Sequence, residues 1–450
     1  MTKGSPYGLL IRFSIPLFFG NLFQQLYTMI DSIIVGRFVG VEALAAVGVT
    51  GGYVFLINGF GQGLSTGFSI PISQRYGAKD LKGVKKNYAM GLLLSAILSI
   101  FVSLLSILLT SWLLKMIDTP SNIFDMAYIY LVIIFAGLPS VIYYNYLSGV
   151  LRAVGDSKSP LIFLLISSIL NIILDLVFVI IIPLGCAGVA IATLLSQTVS
   201  ALIAYIYIYK RYPMFKLSRD DWKIDLFIVK NLLRIGVPGG IQFSVCAIGT
   251  IIVQAAINAF GSDYVAAISV GIKIESMVNI PFTVLGMALA TYAGQNLGAG
   301  DIKRIKQGFK DVTLMCVIIS IVSLLLTRVL TEPIVGLFLE RDESFPLILE
   351  ITQYYINTVS YFFLPLGSIL IFRTAAQGLG SGLIPMLSSL VELAMRALGI
   401  IFLPSLIGFL GVILSGVMAW VAAGILCPVG CIILIRKIER RFKAHEEITA

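Results

Sequence analysis

The chain has 450 residues, 58% of them apolar and only 12% charged, with a mean hydropathy of +0.98. A soluble domain carries roughly 25% charged residues to cover its surface, so a water-soluble globule and a disordered chain are both excluded. The net charge of +9 has no soluble basic domain behind it, so no nucleic-acid partner is expected.

Long continuous apolar runs such as Leu92–Leu109 predict spanning helices; barrel strands would alternate apolar and polar residues. The opening MTKGSPYGLLIRF lacks a short apolar core followed by a small-residue cleavage site, so the first apolar stretch is expected to remain as a span. In chain order, turn signals and charges mark twelve segments: 13–36, 44–72, 88–114, 124–151, 160–182, 186–209, 227–259, 264–293, 311–338, 346–372, 383–405 and 409–435. Most Lys and Arg fall at the N-terminus, in the tail and in the even-numbered loops, as with Arg75, Lys79, Lys82, Lys85 and Lys86 after span 2. The positive-inside rule then predicts a multi-pass protein of the cell (inner) membrane with both termini cytoplasmic. Cys186, Cys246, Cys316, Cys427 and Cys431 lie in apolar segments without a CxxC pair, and the single histidine is His445 in the tail. Neither a metal site nor a disulfide framework is expected from that pattern.

The two halves match internally. Pro16 of RFSIPLFFG pairs with Pro238 of RIGVPGGIQ. Gln74, Gly77, Ala78 and Asp80 pair with Gln295, Gly298, Ala299 and Asp301, and Gly155 and Pro160 pair with Gly380 and Pro385. The offset is nearly constant. Each repeat holds six spans, an even number, so both halves enter the membrane the same way up and are related by a pseudo-twofold along its normal. The expected fold is an all-α integral membrane protein of twelve helices in two six-helix lobes, residues 1–215 and 216–450. Between them lies KRYPMFKLSRDDWKID, where Ser218 and Asp221 have capping-box spacing. Duplicated bundles with polar interiors suit a transporter better than a receptor or scaffold.

Polar residues inside the spans fall on single faces. Span 1 carries Asn21, Gln24, Thr28 and Asp31; span 5 carries Ser168, Asn171 and Asp175; span 6 adds Thr193 and Gln197. For Ser, Thr and Gln such stripes read as helix–helix hydrogen bonding, worth ~0.6 kcal/mol each. The carboxylates differ, because a lone Asp at a helix centre costs about 2.5–3.5 kcal/mol. Asp31 lies ~27 Å along span 1 and Asp175 ~22 Å along span 5 from the inner side, and Thr193 only ~10 Å down span 6 from the outer side. All three are therefore expected in the outer half of the first bundle, where no basic residue matches them in depth. Two carboxylates converging in a low dielectric need a shared proton or a bound cation. Asn171 and Thr193 supply neutral oxygens suited to a hard ion such as Na⁺. In the second half, Glu392 and Arg396 stand at i, i+4 and are expected to neutralise each other as a structural or gating pair. Lys273 and Glu275, two apart, need other partners.

The stretch QQLYTMIDSIIVGRFVGVEALAAVG, the LRAVGDSKSP turn and NIILD resemble the multidrug and toxic compound extrusion (MATE) family over nearly the whole chain. In appearance they are nearest to its DinF-type branch and Gram-positive multidrug exporters. The resemblance implies a secondary antiporter that exports lipophilic, cationic small molecules in exchange for inward Na⁺ or H⁺ by alternating access. Such a protein works in the bilayer as a monomer, without a cofactor. Matched position by position, the family's coupling-cation site falls on Asp31, Asn171, Asp175 and Thr193. Tyr27, Gln24 and Tyr130 fall on its substrate cavity. Asn145 falls on a further polar position, although its span places it toward the cytoplasm. Other branches use a carboxylate in span 7, where this chain has Gln254 and Asn258 instead. One rival is a lipid-linked precursor flippase of the same superfamily, which would line its cavity with several basic residues. Here the intramembrane cations are Lys273 and Arg396, with Arg373 expected at the cytoplasmic edge. A rival of another class is an intramembrane prenyl-transferase-like enzyme, whose acidic Mg²⁺ motifs are approximated only by Asp220, Asp221 and Asp225. No Ser/His, Cys/His or phosphate-cradling motif appears, so no enzyme is expected.

Overall fold

A computed structural model describes residues 1–338 and 344–449, without the side chains of Met29, Ser32, Val41 and 445–449, so the side chain of His445 lies outside the described residues. The described residues form helices and no strand. In order these are α1 (Pro6–Ile34), α2 (Val41–Gly77), α3 (Leu81–Met116), α4 (Ser121–Ala136), α5 (Leu138–Ala153), α6 (Lys158–Leu176) and α7 (Gly185–Arg211). There follow α8 (Leu226–Asn258), α9 (Ser262–Gly298), α10 (Ile302–Phe338), α11 (Phe345–Ser360), α12 (Phe363–Gly378), α13 (Leu383–Ile407) and α14 (Phe409–Thr449). Among the described residues nine helices and two bent pairs are long and apolar enough to cross a membrane. With α1, 29 residues long and carrying the first polar stripe, they make the twelve spans.

Spans 4 and 10, expected as single helices, are each broken in the middle. Helices α4 and α5 meet at 42° around Gly137, and α11 and α12 at 61°. A proline follows each break: Pro139 sits in the first turn of α5 and Pro365 in that of α12. Lacking an N–H, each removes a hydrogen bond that would have continued the preceding helix. The carbonyl that Pro139 frees, Phe135 O, accepts from Ser103 Oγ of α3 at 2.7 Å; at the second break Arg328 Nη2 of α10 donates to Asn357 O, in the last turn of α11, at 3.2 Å.

The chain divides into two compact units, Ile15–Ser244 and Met1–Ser14 with Val245–Ala450. The divisions fall inside α1 and α8. Internally the units repeat one packing plan. In the first, α2 packs on α3, α4 and α5, and α7 on α5 and α6; in the second, α9 packs on α10, α11 and α12, and α14 on α12 and α13. The duplicated Q-x-x-G-A-x-D motif is the helix-reversing turn of this plan. Asp80 accepts the N–H of Gly83 at 2.8 Å and Asp301 that of Arg304 at 2.9 Å, each capping the next helix. The residue before each aspartate turns left-handed, Lys79 at φ 58° and Gly300 at φ 75°. In the 6–7 linker, Ser218 and Asp221 do form a capping box, but on the short turn Arg219–Trp222 rather than on α8.

Candidate functional site

Asp31 ends the polar face of α1 one turn before that helix widens into a π-helical turn, Val35–Val39. Asp175 likewise precedes a π-helical turn, Val177–Ile181, at the end of α6. Such turns interrupt regular i→i−4 bonding and recur at functional sites. The two turns pack against each other. Ile34, Val35, Ala43, Val179, Cys186 and Val189 form one buried apolar cluster there. That cluster seals the space next to the aspartates and brings the start of α7 alongside, so that Thr193 reaches them one to two turns further on.

Inside this seal the four expected residues come together. Asp31 and Asp175 are close enough to interact directly, and both are reached by one Asn171 amide; two carboxyl groups so placed are favourable only with a proton or a cation between them. Asn171, with its amide oriented by its neighbours' donors and acceptors, bridges them. Its Nδ2 donates to Asp175 Oδ2 at 3.1 Å and to Asp31 Oδ1 at 3.2 Å, and its Oδ1 accepts from the Thr193 backbone N–H at 3.2 Å. Tyr27 stands beside Asp31 and Thr193, and Tyr130 lies within electrostatic reach of both carboxylates. Asn171 and Asp175 are fully buried and Asp31 half-buried. Asp175 Oδ1 is a buried acceptor with no hydrogen-bond partner among the described residues. An orphan acceptor in a desolvated acidic pair costs ~1–3 kcal/mol, and a cation or proton there would relieve it. Gln24 lies exposed on α1, two turns before Asp31. No hydrogen bond joins Asn145, half-buried in α5, to the acidic pair among the described residues.

The second unit differs from the expectation. Glu392 and Arg396 do pair, Nη2 to Oε1 at 3.0 Å, but Glu392 also accepts from Arg373 Nη2 at 2.6 Å. Arg373, expected at the cytoplasmic edge, is buried; it donates further to Ser388 Oγ at 2.9 Å and Cys246 Sγ at 3.6 Å. One carboxylate thus serves two guanidinium groups, and Arg396 Nε is left a buried donor with no hydrogen-bond partner among the described residues. Glu275 finds its partner in Tyr355, whose Oη donates at 2.7 Å. Gly271 makes that contact possible, since a Cβ there would lie 2.6 Å from Cδ1 of Tyr355. Lys273 Nζ lies 5.3 Å from the Phe338 ring centroid. Sequence spacing missed Arg373 and Tyr355 because both partnerships cross between helices; an Arg among apolar residues was the one available signal.

The acidic linker triplet is structural. Asp220 pairs with Lys223 at 2.7 Å. Asp221 Oδ2 accepts the Ser218 backbone N–H and Oγ, both at 2.7 Å, and these bonds hold its carboxyl below the usual carboxylate range. Asp225 caps α8 through the N–H groups of Phe227 and Ile228 and pairs with Lys86 at 3.4 Å. No cluster of His, Cys, Asp and Glu among the described residues could hold a metal ion.

Comparison with known proteins agrees with this architecture. The MatE family profile matches residues 16–177 and 238–404, one stretch in each half. The probable multidrug resistance protein YpnP of Bacillus subtilis (strain 168) is 32% identical over 306 residues, 68% of each chain. The FAD transporter of Shewanella oneidensis is 25% identical over 448 residues, 98% of this chain and 97% of its own. Among solved structures, a multidrug resistance MATE family transporter of the MOP superfamily in its outward-facing conformation superposes with a TM-score of 0.90 at 24% identity, covering 97% of both chains.

Proposed function

We propose that this chain, which belongs to the MATE family of multidrug efflux transporters, works as a secondary antiporter and couples export to inward Na⁺ or H⁺ at Asp31, Asn171, Asp175 and Thr193. It is a multi-pass membrane transporter of small molecules and not an enzyme. The observation that carries the coupling is the buried contact of two carboxyl groups with no basic partner among the described residues. The pair is stable with one proton or one cation and strained with neither. Tyr27 and Tyr130 border it, so an aromatic, lipophilic cation fits beside the same negative charge. Its arrival competes with the coupling ion, which is the linkage that exchange requires.

Both termini lie in the cytoplasm in this reading, and the lobes are residues 1–215 and 216–450, working as a monomer. An anionic cargo, whether a dinucleotide such as the Shewanella relative carries or a lipid-linked pyrophosphate, would need free cations in its path. Arg373 and Arg396 are instead bound to Glu392.

The test is reconstitution in liposomes with a Na⁺ gradient or a pH gradient imposed separately, following efflux of a fluorescent cationic dye and, in parallel, of FAD. Asp31→Asn and Asp175→Asn are expected to abolish driven dye efflux while leaving folding intact, since Asn is nearly isosteric and removes a buried charge. Normal driven efflux by either variant, or export of FAD in preference to the dye, would refute the reading.

A further inference from the structure

A groove of about 410 Å³ opens in the first unit between the start of α6 and the end of α7. Phe163 of α6 faces Ile203, Ile206, Tyr207, Lys210 and Arg211 of α7 across it. The rings of Phe163 and Tyr207 meet edge to face at 5.3 Å and make its floor. The walls are apolar, so Lys210 and Arg211 line it with their methylene stems and carry their charges to its mouth. Both belong to the last turn of α7 and both are exposed.

Neither cation takes part in a salt bridge among the described residues. Asp156 forms no salt bridge with either; it accepts instead from Tyr212 Oη at 3.0 Å, from Ser159 Oγ at 2.6 Å and from the N–H groups of Lys158 and Ser159. The carbonyl end of α7 offsets only about half a charge, against two positive ones. What remains is an apolar slot along a spanning helix with net positive charge at its rim. A free anion would satisfy the rim and leave the slot empty. A zwitterionic lipid would fill the slot and gain little from the rim.

From this geometry we propose that the α6–α7 groove is a binding site for one anionic phospholipid, an acyl chain lying against Phe163, Ile203 and Tyr207 and the phosphate held by Lys210 and Arg211. The site is independent of the acidic pair and of the direction of transport.

Purified full-length protein in detergent is titrated with phosphatidylglycerol, phosphatidylcholine or glycerol phosphate, and bound lipid is read by native mass spectrometry alongside thermal stabilisation. Phosphatidylglycerol is expected to bind more tightly than phosphatidylcholine, and glycerol phosphate to have no effect. The double variant Lys210→Gln/Arg211→Gln should weaken phosphatidylglycerol about 30-fold, from ~1 kcal/mol per basic side chain near a membrane surface at 1.4 kcal/mol per tenfold. That brings it to the level of phosphatidylcholine. Ile203→Trp, which fills the slot and keeps the charges, should weaken both lipids. Lys303→Gln/Lys310→Gln, removing two exposed charges of the second unit, should change neither. Equal binding of the two lipids, an unchanged Lys210→Gln/Arg211→Gln variant, or competition by glycerol phosphate as strong as by the lipid would each overturn the proposal.

Discussion

Removing the charge of Glu392 should damage this protein far more than removing that of Arg396, although the two form one ion pair. The side chains of Arg373, Glu392 and Arg396 are 6%, 12% and 10% exposed, so all three charges sit in a low dielectric. Glu392→Gln leaves two buried guanidinium groups facing a neutral amide. Deleting one partner of a buried pair costs ~3–5 kcal/mol because the other charge is stranded. Arg396→Gln leaves the 2.6 Å contact of Arg373 with Glu392 in place and forfeits one charge-assisted hydrogen bond, about 1.5–3 kcal/mol. The double variant Glu392→Gln/Arg396→Gln is the informative one. Were the pair isolated, it would restore most of the stability. With Arg373 still buried and unpaired it should remain nearly as unstable as Glu392→Gln alone, and recovery should require Arg373→Gln as well. Thermal unfolding of detergent-purified variants, monitored by size-exclusion fluorescence, ranks them directly. A double variant as stable as the parent, or an Arg396→Gln as damaged as Glu392→Gln, would refute the shared-carboxylate argument.

Na⁺ and protons should compete for the Asp31–Asp175 pair, so Na⁺ affinity is expected to weaken as pH falls from about 8 to 5, with Asp175→Asn abolishing the dependence; titration of purified protein with Na⁺ at several pH values checks it. The Ser218–Asp221 box carries a carboxyl lowered by its bonds to Ser218. Its contribution is therefore complete above the unfolded value of about 3.9 and is lost as pH falls through the lower folded value. Amide protection of the 6–7 linker, with exchange corrected for its intrinsic pH dependence, should persist at pH 5 and be lost only below about pH 4, and Asp221→Asn should lower it throughout. Gly271→Val should displace Tyr355 from α9, since even a Cβ would stand 2.6 Å from its ring. Overpacking of this kind costs ~1–3 kcal/mol, to be seen as a lowered unfolding temperature that Tyr355→Ala in the same chain partly restores.

What the sequence disclosed and what it withheld divide along a physical line. Helical periodicity and depth are local quantities, additive along one segment, and they brought Asp31, Asn171, Asp175 and Thr193 together before any coordinates, on four residues from three helices. They succeeded because a carboxylate in hydrocarbon is costly enough to single itself out. The same arithmetic is silent on the partners of Arg373. Span 10 reads as one straight helix, whereas α11 and α12 are bent by 61°, and the bend changes what α12 faces. Hydropathy does not show the break, because Pro365 counts in a window like its neighbours while its missing N–H decides the helix geometry. The π-helical turns after Asp31 and Asp175 escaped for a related reason: composition does not encode one extra residue per turn. Yet each turn ends near a left-handed glycine, Gly40 at φ 118° and Gly185 at φ 59°. Those paired glycines mark where two spans stop being regular helices, and the acidic pair lies immediately inside that boundary. The proposed coupling needs carboxyl groups that can change partners, and a helix end released from regular bonding can yield where a helix centre cannot. This accounts for finding both aspartates at the ends of their helices, and for Glu392, bonded on both oxygens in the middle of α13, being read as a fixed element of the second unit.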